Sequence, residues 1–432
     1  MMDSKEKITL KDAMAIGIGG MVGGGIFAVL GLAVEMSQGA TPLAFLLAGT
    51  IALLTSYSYV KMSISFPSRG GTVNFINKGF GKNIFSGGTN NLLWISYIIM
   101  LSLYASAFGA YGAKMIHLTG DYNTDKHLLL SGVVLFSTLL NYISFKAVSL
   151  TESFAVFIKM IILGGFILAG GYGLLNSEFI PQLSPAHWET PLHIISGGMV
   201  IFVAYEGFEL IANATPNLTN PRLNIPKAFY YSTGIVVVLY MLIAIITVGS
   251  VSFEQIGKEQ EYVLAVAARP VLGKIGFTII SVTAMISTFS AINATLYGGS
   301  RVNYQLARDD ELPHEFTKHY WNQPIGLLVT SILTLVLANG LNLESISTVG
   351  SAGFLWIFAL VNLSNFRLAR HSNSNKVVPV LGGTLCLLAL IALLIQQFDS
   401  SPLGVVIAGS IFILSYGIEF LYKKSESKAG KG

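Results

Sequence analysis

Long apolar stretches dominate the chain and are separated by short polar segments. Stretches of about 17–25 apolar residues are long enough to cross a bilayer as helices. Twelve such spans are predicted, at 12–36, 42–65, 84–115, 127–146, 150–175, 191–213, 227–250, 272–302, 324–341, 345–367, 377–397 and 402–421. The pattern indicates an all-α polytopic membrane protein, and the even number of spans puts both termini on one side of the bilayer.

Basic residues are concentrated in alternate loops. If the N-terminus is inside, 20 of the 26 lysines and arginines lie in the inner loops and tails. Lys159 lies within a span, and the outer set is Lys114, Lys126, Lys258, Arg269 and Lys274. Because positive charge is retained on the cytoplasmic side, both termini are expected in the cytoplasm. The net charge of +4 is therefore a topology signal and requires no nucleic-acid partner.

Composition excludes several classes of protein. Hydrophobic residues make up 53% of the chain and charged residues 11%, whereas soluble domains average about 25% charged residues. The single cysteine, Cys386, excludes a disulfide framework, and the seven histidines show no metal-ligand spacing. No nucleophile and base can be paired, so no enzyme is predicted, and neither a cofactor nor a metal is expected. The charged N-terminus predicts no cleavable signal peptide.

The first span carries an unusual cluster of glycines. Six glycines fall among the eleven residues from Gly17 to Phe27. Since glycine costs about 1 kcal/mol relative to alanine inside a helix, the cluster predicts a break in mid-membrane. The amides that begin the second half-helix would then form an anion site. The alternative is that the glycines only allow neighbouring helices to pack closely.

The sixth span carries two acids in an otherwise apolar stretch. Glu206 and Glu209 flank Gly207 within residues 201–213. A carboxylate at membrane depth costs at least about 2.5–3.5 kcal/mol, which makes such acids functional candidates. The alternative is that the helix ends earlier and both acids face water.

The chain is predicted to contain two five-helix repeats, residues 1–175 and 176–370, followed by 371–432. Spans one and six then occupy matching positions in the two repeats. Paired interruptions at matching positions indicate the central site of a transporter.

Lys159 is the third unusual residue. It lies inside the fifth span, with eighteen uncharged residues between it and Glu178. Burial disfavours the ammonium form of a lysine, so a lysine placed here can exchange a proton near neutral pH. The alternative is that its long side chain reaches the cytoplasmic interface. In the eighth span, Ser287 and Ser290 share a helical face and are candidate ligands for a cation, although such residues often bond only their own backbone.

These motifs in combination resemble the amino acid–polyamine–organocation (APC) permeases. The resemblance covers about residues 8–370. It rests on Gly19-Gly-Met-Val-Gly-Gly-Gly-Ile-Phe27, Phe66-Pro-Ser-Arg-Gly-Gly71, Ala204-Tyr-Glu-Gly-Phe208 followed by Asn220-Pro and Ile225-Pro, Asn293-Ala-Thr-Leu-Tyr-Gly-Gly299 and Ala307-Arg-Asp-Asp-Glu-Leu-Pro313. Within the superfamily, the segment Glu152-Ser-Phe-Ala-Val-Phe-Ile-Lys159 is most similar to prokaryotic proton-coupled amino acid transporters with a lysine in the fifth helix.

The resemblance implies a leucine-transporter-like fold: a five-plus-five inverted repeat with two peripheral helices, in the inner (cytoplasmic) membrane. It implies that amides near Gly23–Gly25 hold a substrate carboxylate, that carbonyls near Phe202, Ala204 and Tyr205 receive the amino group, and that Phe202 helps to occlude the site. The implied substrate-binding set is Met21, Gly23, Gly24, Gly25, Ile26, Phe202, Ala204, Tyr205 and Glu206. Lys159 would replace sodium near Gly20, Met21, Ser287 and Ser290, with the proton as coupling ion.

Two positions depart from the family pattern. Glu206 stands where the family often has an apolar residue, which suits a cationic substrate or proton handling. The segment Thr215–Asn220 lacks the acidic pair that often precedes Asn-Pro, which makes a cytoplasmic salt-bridge gate doubtful.

The favoured function is proton-coupled amino acid symport by alternating access. The first alternative is an ion-independent exchanger of cationic amino acids or polyamines. A channel or nutrient receptor is disfavoured because no ring of pore-lining charge and no signalling domain is visible.

Overall fold

A computed structural model describes residues 7–143, 145–320 and 323–429, without the side chains of 145–154, 314, 320 and 425–429. Lys5 and Lys431, which belong to the predicted inner set, lie outside the described residues. The only strands assigned in the described part are two-residue segments, His319–Tyr320 and Gln323–Pro324, which pair antiparallel. The prediction of an all-α protein is confirmed.

The described chain forms sixteen α-helices, connected by short loops and 3-10 turns. They are α1 (Leu10–Met21), α2 (Gly25–Ser37), α3 (Thr41–Ser65), α4 (Gly71–Phe80), α5 (Ile84–Met115), α6 (Tyr122–Ile143), α7 (Phe145–Leu174), α8 (Pro191–Val200), α9 (Ile211–Ala214), α10 (Pro221–Ser250), α11 (Phe253–Lys258), α12 (Val263–Arg308), α13 (Ile325–Gly340), α14 (Leu343–Arg367), α15 (Val377–Ser400) and α16 (Pro402–Ala429). The 3-10 turns include Ile201–Tyr205 and Phe208–Leu210.

Most of the predicted spans are present. In the described residues ten helical segments are long and apolar enough to cross a membrane, and the bent pair α1–α2 brings the number to as many as eleven. The remaining predicted span, 324–341, corresponds to α13, which has only 16 residues. At about 1.5 Å per residue it is shorter than the roughly 30 Å hydrocarbon core. A polytopic membrane protein is therefore confirmed, whereas the count of twelve stays a prediction.

Burial divides the helices into an inner and an outer group. The broken segment 191–217, α5 and α14 are the most deeply buried of the spanning segments. In contrast, α7, α15 and α16 expose large apolar side chains such as Leu168, Phe398 and Ile413. Apolar side chains that face lipid cost no hydrophobic free energy, because the lipid tails are equally apolar. The inner group therefore contains the polar and irregular backbone that a membrane otherwise excludes.

A buried acid joins three elements on the side of the protein where α1 begins. Glu311, in the loop after α12, is 2% exposed. Its carboxylate accepts hydrogen bonds from Asn77 Nδ2 of α4 at 2.9 Å and from Asn90 Nδ2 of α5 at 2.8 Å. Burial raises the pKa of the Glu311 carboxyl, and the two amide donors offset part of that rise.

The raised pKa predicts how this junction responds to pH. Because folded Glu311 holds its proton more tightly than the unfolded chain does, its contribution to stability is complete below the ordinary pKa of 4.5 and is lost as the pH rises through the raised value. The melting temperature of the wild type should therefore fall relative to that of Glu311→Gln as the pH rises above the ordinary pKa of 4.5. Glu254→Gln, at an exposed acid paired with Lys258, is the control. Parallel wild-type and Glu311→Gln melting curves across this pH range would contradict the prediction.

Candidate functional site

The first span is broken where the glycines predicted it. Helix α1 ends at Met21, α2 begins at Gly25, and the two halves are bent by 45°. The Gly23 amide donates to the Gly20 carbonyl at 3.2 Å. The Gly23 amide is therefore already bonded within the protein. The amides of the predicted carboxylate site that remain are those of Gly24, Gly25 and Ile26, at the start of α2. The first amides of a helix have no partner within the helix.

The sixth span is broken at the same level. Helix α8 ends at Val200, a 3-10 turn runs to Tyr205, and Glu206 then adopts an extended conformation with ψ 143°. Gly207 follows with φ +120°, a backbone conformation that favours glycine. The prediction of paired breaks in spans one and six is confirmed.

The glycines also bring the two breaks into contact. A Cβ placed on Gly20 would lie 2.7 Å from the Gly207 Cα, and one on Gly25 would lie 2.6 Å from the Ala204 Cα. At Gly24 a Cβ would lie 2.3 Å from Cδ1 of Tyr104, a buried residue of α5. The close-packing interpretation is therefore correct as well, since the same residues form the break and the contact.

Side chains from α10 and α14 satisfy the broken backbone. The Tyr240 hydroxyl lies 2.6 Å from the Met21 carbonyl and 3.1 Å from the Ala204 carbonyl, so one phenol bridges the two breaks. Ser351 Oγ donates to the Val200 carbonyl and accepts from the Val203 amide. Sequence analysis missed both residues. A tyrosine or serine in a span signals only that its polar group needs some partner.

Both acids of the sixth span are buried. Glu206 is 4% exposed and Glu209 is 1% exposed, so the interpretation in which they face water is wrong. The Tyr104 hydroxyl donates to Glu206 Oε2 at 3.3 Å, and the Gly207 amide donates to Glu209 Oε2 at 2.7 Å. Tyr104 links Glu206 to the start of α2, because the ring of the same tyrosine packs against Gly24.

Lys159 lies inside the protein, at the end of α1. Its side chain is 3% exposed, and Nζ donates to the Gly19 carbonyl at 3.2 Å. The interpretation in which it reaches the interface is therefore wrong. The predicted partners of Lys159 were the carbonyls of Gly20 and Met21, but its partner is the carbonyl of the preceding residue, Gly19. The Met21 carbonyl accepts a hydrogen bond from Tyr240.

Of the two candidate serines in α12, only Ser287 has a described bond to the break. Its Oγ contacts the carbonyls of Val22 and Gly23. Ser290 is half-buried, and among the described side chains it has no hydrogen bond to the first break.

The other predicted residues line the same region with apolar groups. Met21, Ile26 and Phe202 are at most 1% exposed. Phe202 packs against Phe358 of α14, with ring centroids 5.9 Å apart. The Tyr205 side chain instead points to α3, where its hydroxyl donates to the Phe45 carbonyl at 2.8 Å.

The residues of both breaks, 21–25 and 200–208, are buried, and segments that are distant in sequence meet on either side of them. On the side where α1 begins, the Ile8 amide donates to the Asn217 carbonyl at 3.0 Å and the Thr219 amide donates to the Ile8 carbonyl at 2.9 Å. These backbone hydrogen bonds join Ile8 to the segment Thr215–Asn220, in which the acidic pair of the family is absent. On the opposite side, Glu261 accepts from the Tyr122 hydroxyl and pairs with Lys126.

Comparison with known proteins identifies the family. Residues 8–416 match the model of the amino acid permease family. The chain is 35% identical to an uncharacterized protein of Methanocaldococcus jannaschii, covering 97% of this chain and 96% of that protein. It is 30% identical to the inner membrane transport protein YbaT of Escherichia coli, with 98% of each chain covered. It is 23% identical to the methylthioribose transporter of Bacillus subtilis, over 97% of this chain and 94% of that protein. The chain therefore belongs to the amino acid permeases of the APC superfamily, which are transporters and not enzymes.

Proposed function

We propose that this permease is a secondary active transporter that imports an amino acid together with protons by alternating access. The proposal includes twelve spans arranged as the five-plus-five inverted repeat of residues 1–175 and 176–370, with 371–432 at the periphery. It places the protein in the inner membrane with both termini in the cytoplasm. The family match and the inner-membrane relative support this assignment.

The buried side chain of Lys159 is the observation that carries the proposal of proton coupling. It lies on a carbonyl at the end of α1, which bears the negative end of the helix dipole. Protonated Lys159 binds α7 to α1 through that carbonyl. Once the proton leaves, the nitrogen donates more weakly and the two helices separate more easily. Proton release then shifts the balance between conformations by as much as the two states differ in proton affinity.

The substrate lies between the two breaks in this proposal. Its carboxylate binds the first amides of α2, where the positive end of the helix dipole favours an anion. Its amino group binds the carbonyls near Ala204, after displacing the Tyr240 hydroxyl from the Ala204 carbonyl. Because both breaks are buried, a conformational change must open one side before the substrate can enter.

Uptake into proteoliposomes tests the proposal. A panel of labelled amino acids is supplied with an inward proton gradient, with a sodium gradient, or with neither. We expect accumulation only with the proton gradient, with no effect of sodium. Accumulation driven by sodium would contradict proton coupling.

An ion-independent exchanger of cationic amino acids or polyamines is the second candidate, and the buried Glu206 favours it. Uptake that requires a substrate inside the vesicle and ignores every ion gradient would support this second function over the first.

Glu206→Gln tests whether this acid selects the substrate. Only a cationic side chain loses a charge partner in the variant, and hydrogen bonds to charged groups contribute about 1.5–3 kcal/mol. We expect the affinity for arginine and lysine to fall at least about tenfold, equivalent to about 1.4 kcal/mol. The affinities for alanine and leucine should fall less. Binding at one fixed pH measures all four.

The matched control is Glu419→Gln, which replaces a buried glutamate of α16 that contacts Asn91 rather than the breaks. It should leave the ratio of cationic to neutral affinities unchanged. An equal loss for all four amino acids in Glu206→Gln would show that Glu206 does not select the substrate's charge.

A further inference from the structure

Glu206 and Glu209 form a pair of carboxyl groups at the second break. Glu209 Oε2 lies 2.7 Å from the Gly207 amide nitrogen, which is bonded directly to the Glu206 carbonyl carbon, and the two carboxyl groups interact electrostatically. One oxygen of each already has a donor: Tyr104 bonds Glu206 Oε2, and the Gly207 amide bonds Glu209 Oε2. Glu209 Oε1 is buried and accepts no hydrogen bond from any described N–H or O–H group. Two ionised carboxylates cannot supply a donor to that oxygen.

Within the described part of the chain, no basic side chain forms an ion pair with either acid. The titratable groups around the pair are the phenols of Tyr59 on α3 and of Tyr97 and Tyr104 on α5. Among the described residues the two carboxyls are therefore buried beside each other without a cation, and two neighbouring carboxylates share a proton because both cannot ionise.

We propose that Glu206 and Glu209 hold one proton between them in the empty site, and that a cationic side chain of the substrate replaces this proton. The protonated carboxyl donates to the facing oxygen, which gives Glu209 Oε1 its partner. When an ammonium or guanidinium group enters, the carboxyl O–H bond breaks, the proton passes to water, and two carboxylates bind the cation. The charge of the site is −1 before and after the exchange.

This exchange gives the site different proton counts for different substrates. A neutral amino acid leaves the shared proton in place, whereas a cationic one releases it. Binding of lysine or arginine should therefore release about one more proton per substrate than binding of leucine or alanine. The inference rests on the proposed function only in placing the substrate between the breaks, because the shared proton belongs to the empty protein.

Infrared spectroscopy of the empty protein tests the shared proton without any substrate. We expect a protonated-carboxyl C=O band near neutral pH that both Glu206→Gln and Glu209→Gln shift in frequency or remove, because each variant takes away one of the two carboxyls that share the proton. Glu254→Gln, at an exposed acid, is the control and should keep the band. Absence of such a band from the wild type, or a band of unchanged frequency and intensity in both variants, would overturn the shared proton.

Proton release by the wild type tests the exchange and requires no variant to fold. The protein in weakly buffered solution with a pH indicator is titrated with lysine, arginine, leucine or alanine. We expect an excess of about one proton for each cationic amino acid bound. Equal proton release for both groups, or no binding of the cationic ones, would overturn the exchange. If Lys159→Ala keeps normal proton-driven uptake while the band and the excess release are present, the coupling role of Lys159 fails and the carboxyl pair stands.

Discussion

Lys159→Ala is expected to abolish accumulation of substrate against a gradient. The variant loses the ammonium that lies on the Gly19 carbonyl, and with it the group whose proton would distinguish the two conformations. Uptake driven by an inward proton gradient should fall to the level of passive equilibration, although some substrate binding should persist. Labelled uptake into proteoliposomes with and without the gradient measures the effect.

Lys159→Arg separates the charge from its titration. Because arginine stays protonated at all relevant pH values, this variant should keep substrate binding and lose the dependence of uptake on pH. Lys274→Ala, at an exposed position of α12, controls for the loss of a lysine as such. Normal proton-driven accumulation in Lys159→Ala would remove this residue from the coupling mechanism.

Gly24→Leu is expected to reduce substrate binding below detection. A Cβ at Gly24 would lie 2.3 Å from the Tyr104 ring, and the rest of a leucine side chain would fill the approach to the first amides of α2. Gly24→Ala adds only the Cβ and should lower affinity at least about tenfold, equivalent to about 1.4 kcal/mol. Binding to the purified protein measures both variants.

Overpacking a buried site also costs about 1–3 kcal/mol of stability, so both variants need a check of folding. Gly165→Leu is the matched control, since the space around Gly165 of α7 is open and the variant should bind normally. If Gly24→Leu elutes as a single species, melts normally and still binds with wild-type affinity, the glycine has a packing role only.

The sequence determined the features that a bilayer imposes on a chain. Apolar runs long enough to cross it gave the helices, although α13 proved shorter than its predicted span. Glycines in the first span predicted a break there, because glycine is costly inside a helix, and the matching position of the sixth span in a five-plus-five repeat predicted the second. The acids of the sixth span marked it as functional, because a carboxylate is costly at membrane depth. Lys159 was found for the same reason.

The tertiary structure decided which groups serve the breaks. Tyr240 and Ser351 bond the broken backbone, and Tyr104 covers Gly24 and bonds Glu206. Tyrosine and serine are common in membrane spans, and the sequence alone does not show which helix each of them will contact. The partner of Lys159 also required the fold, because the relevant carbonyl belongs to Gly19, 140 residues earlier.

Sequence patterns report the local cost of placing a residue in lipid. The partner that offsets this cost lies on another helix, and only packing of the chain brings the two together.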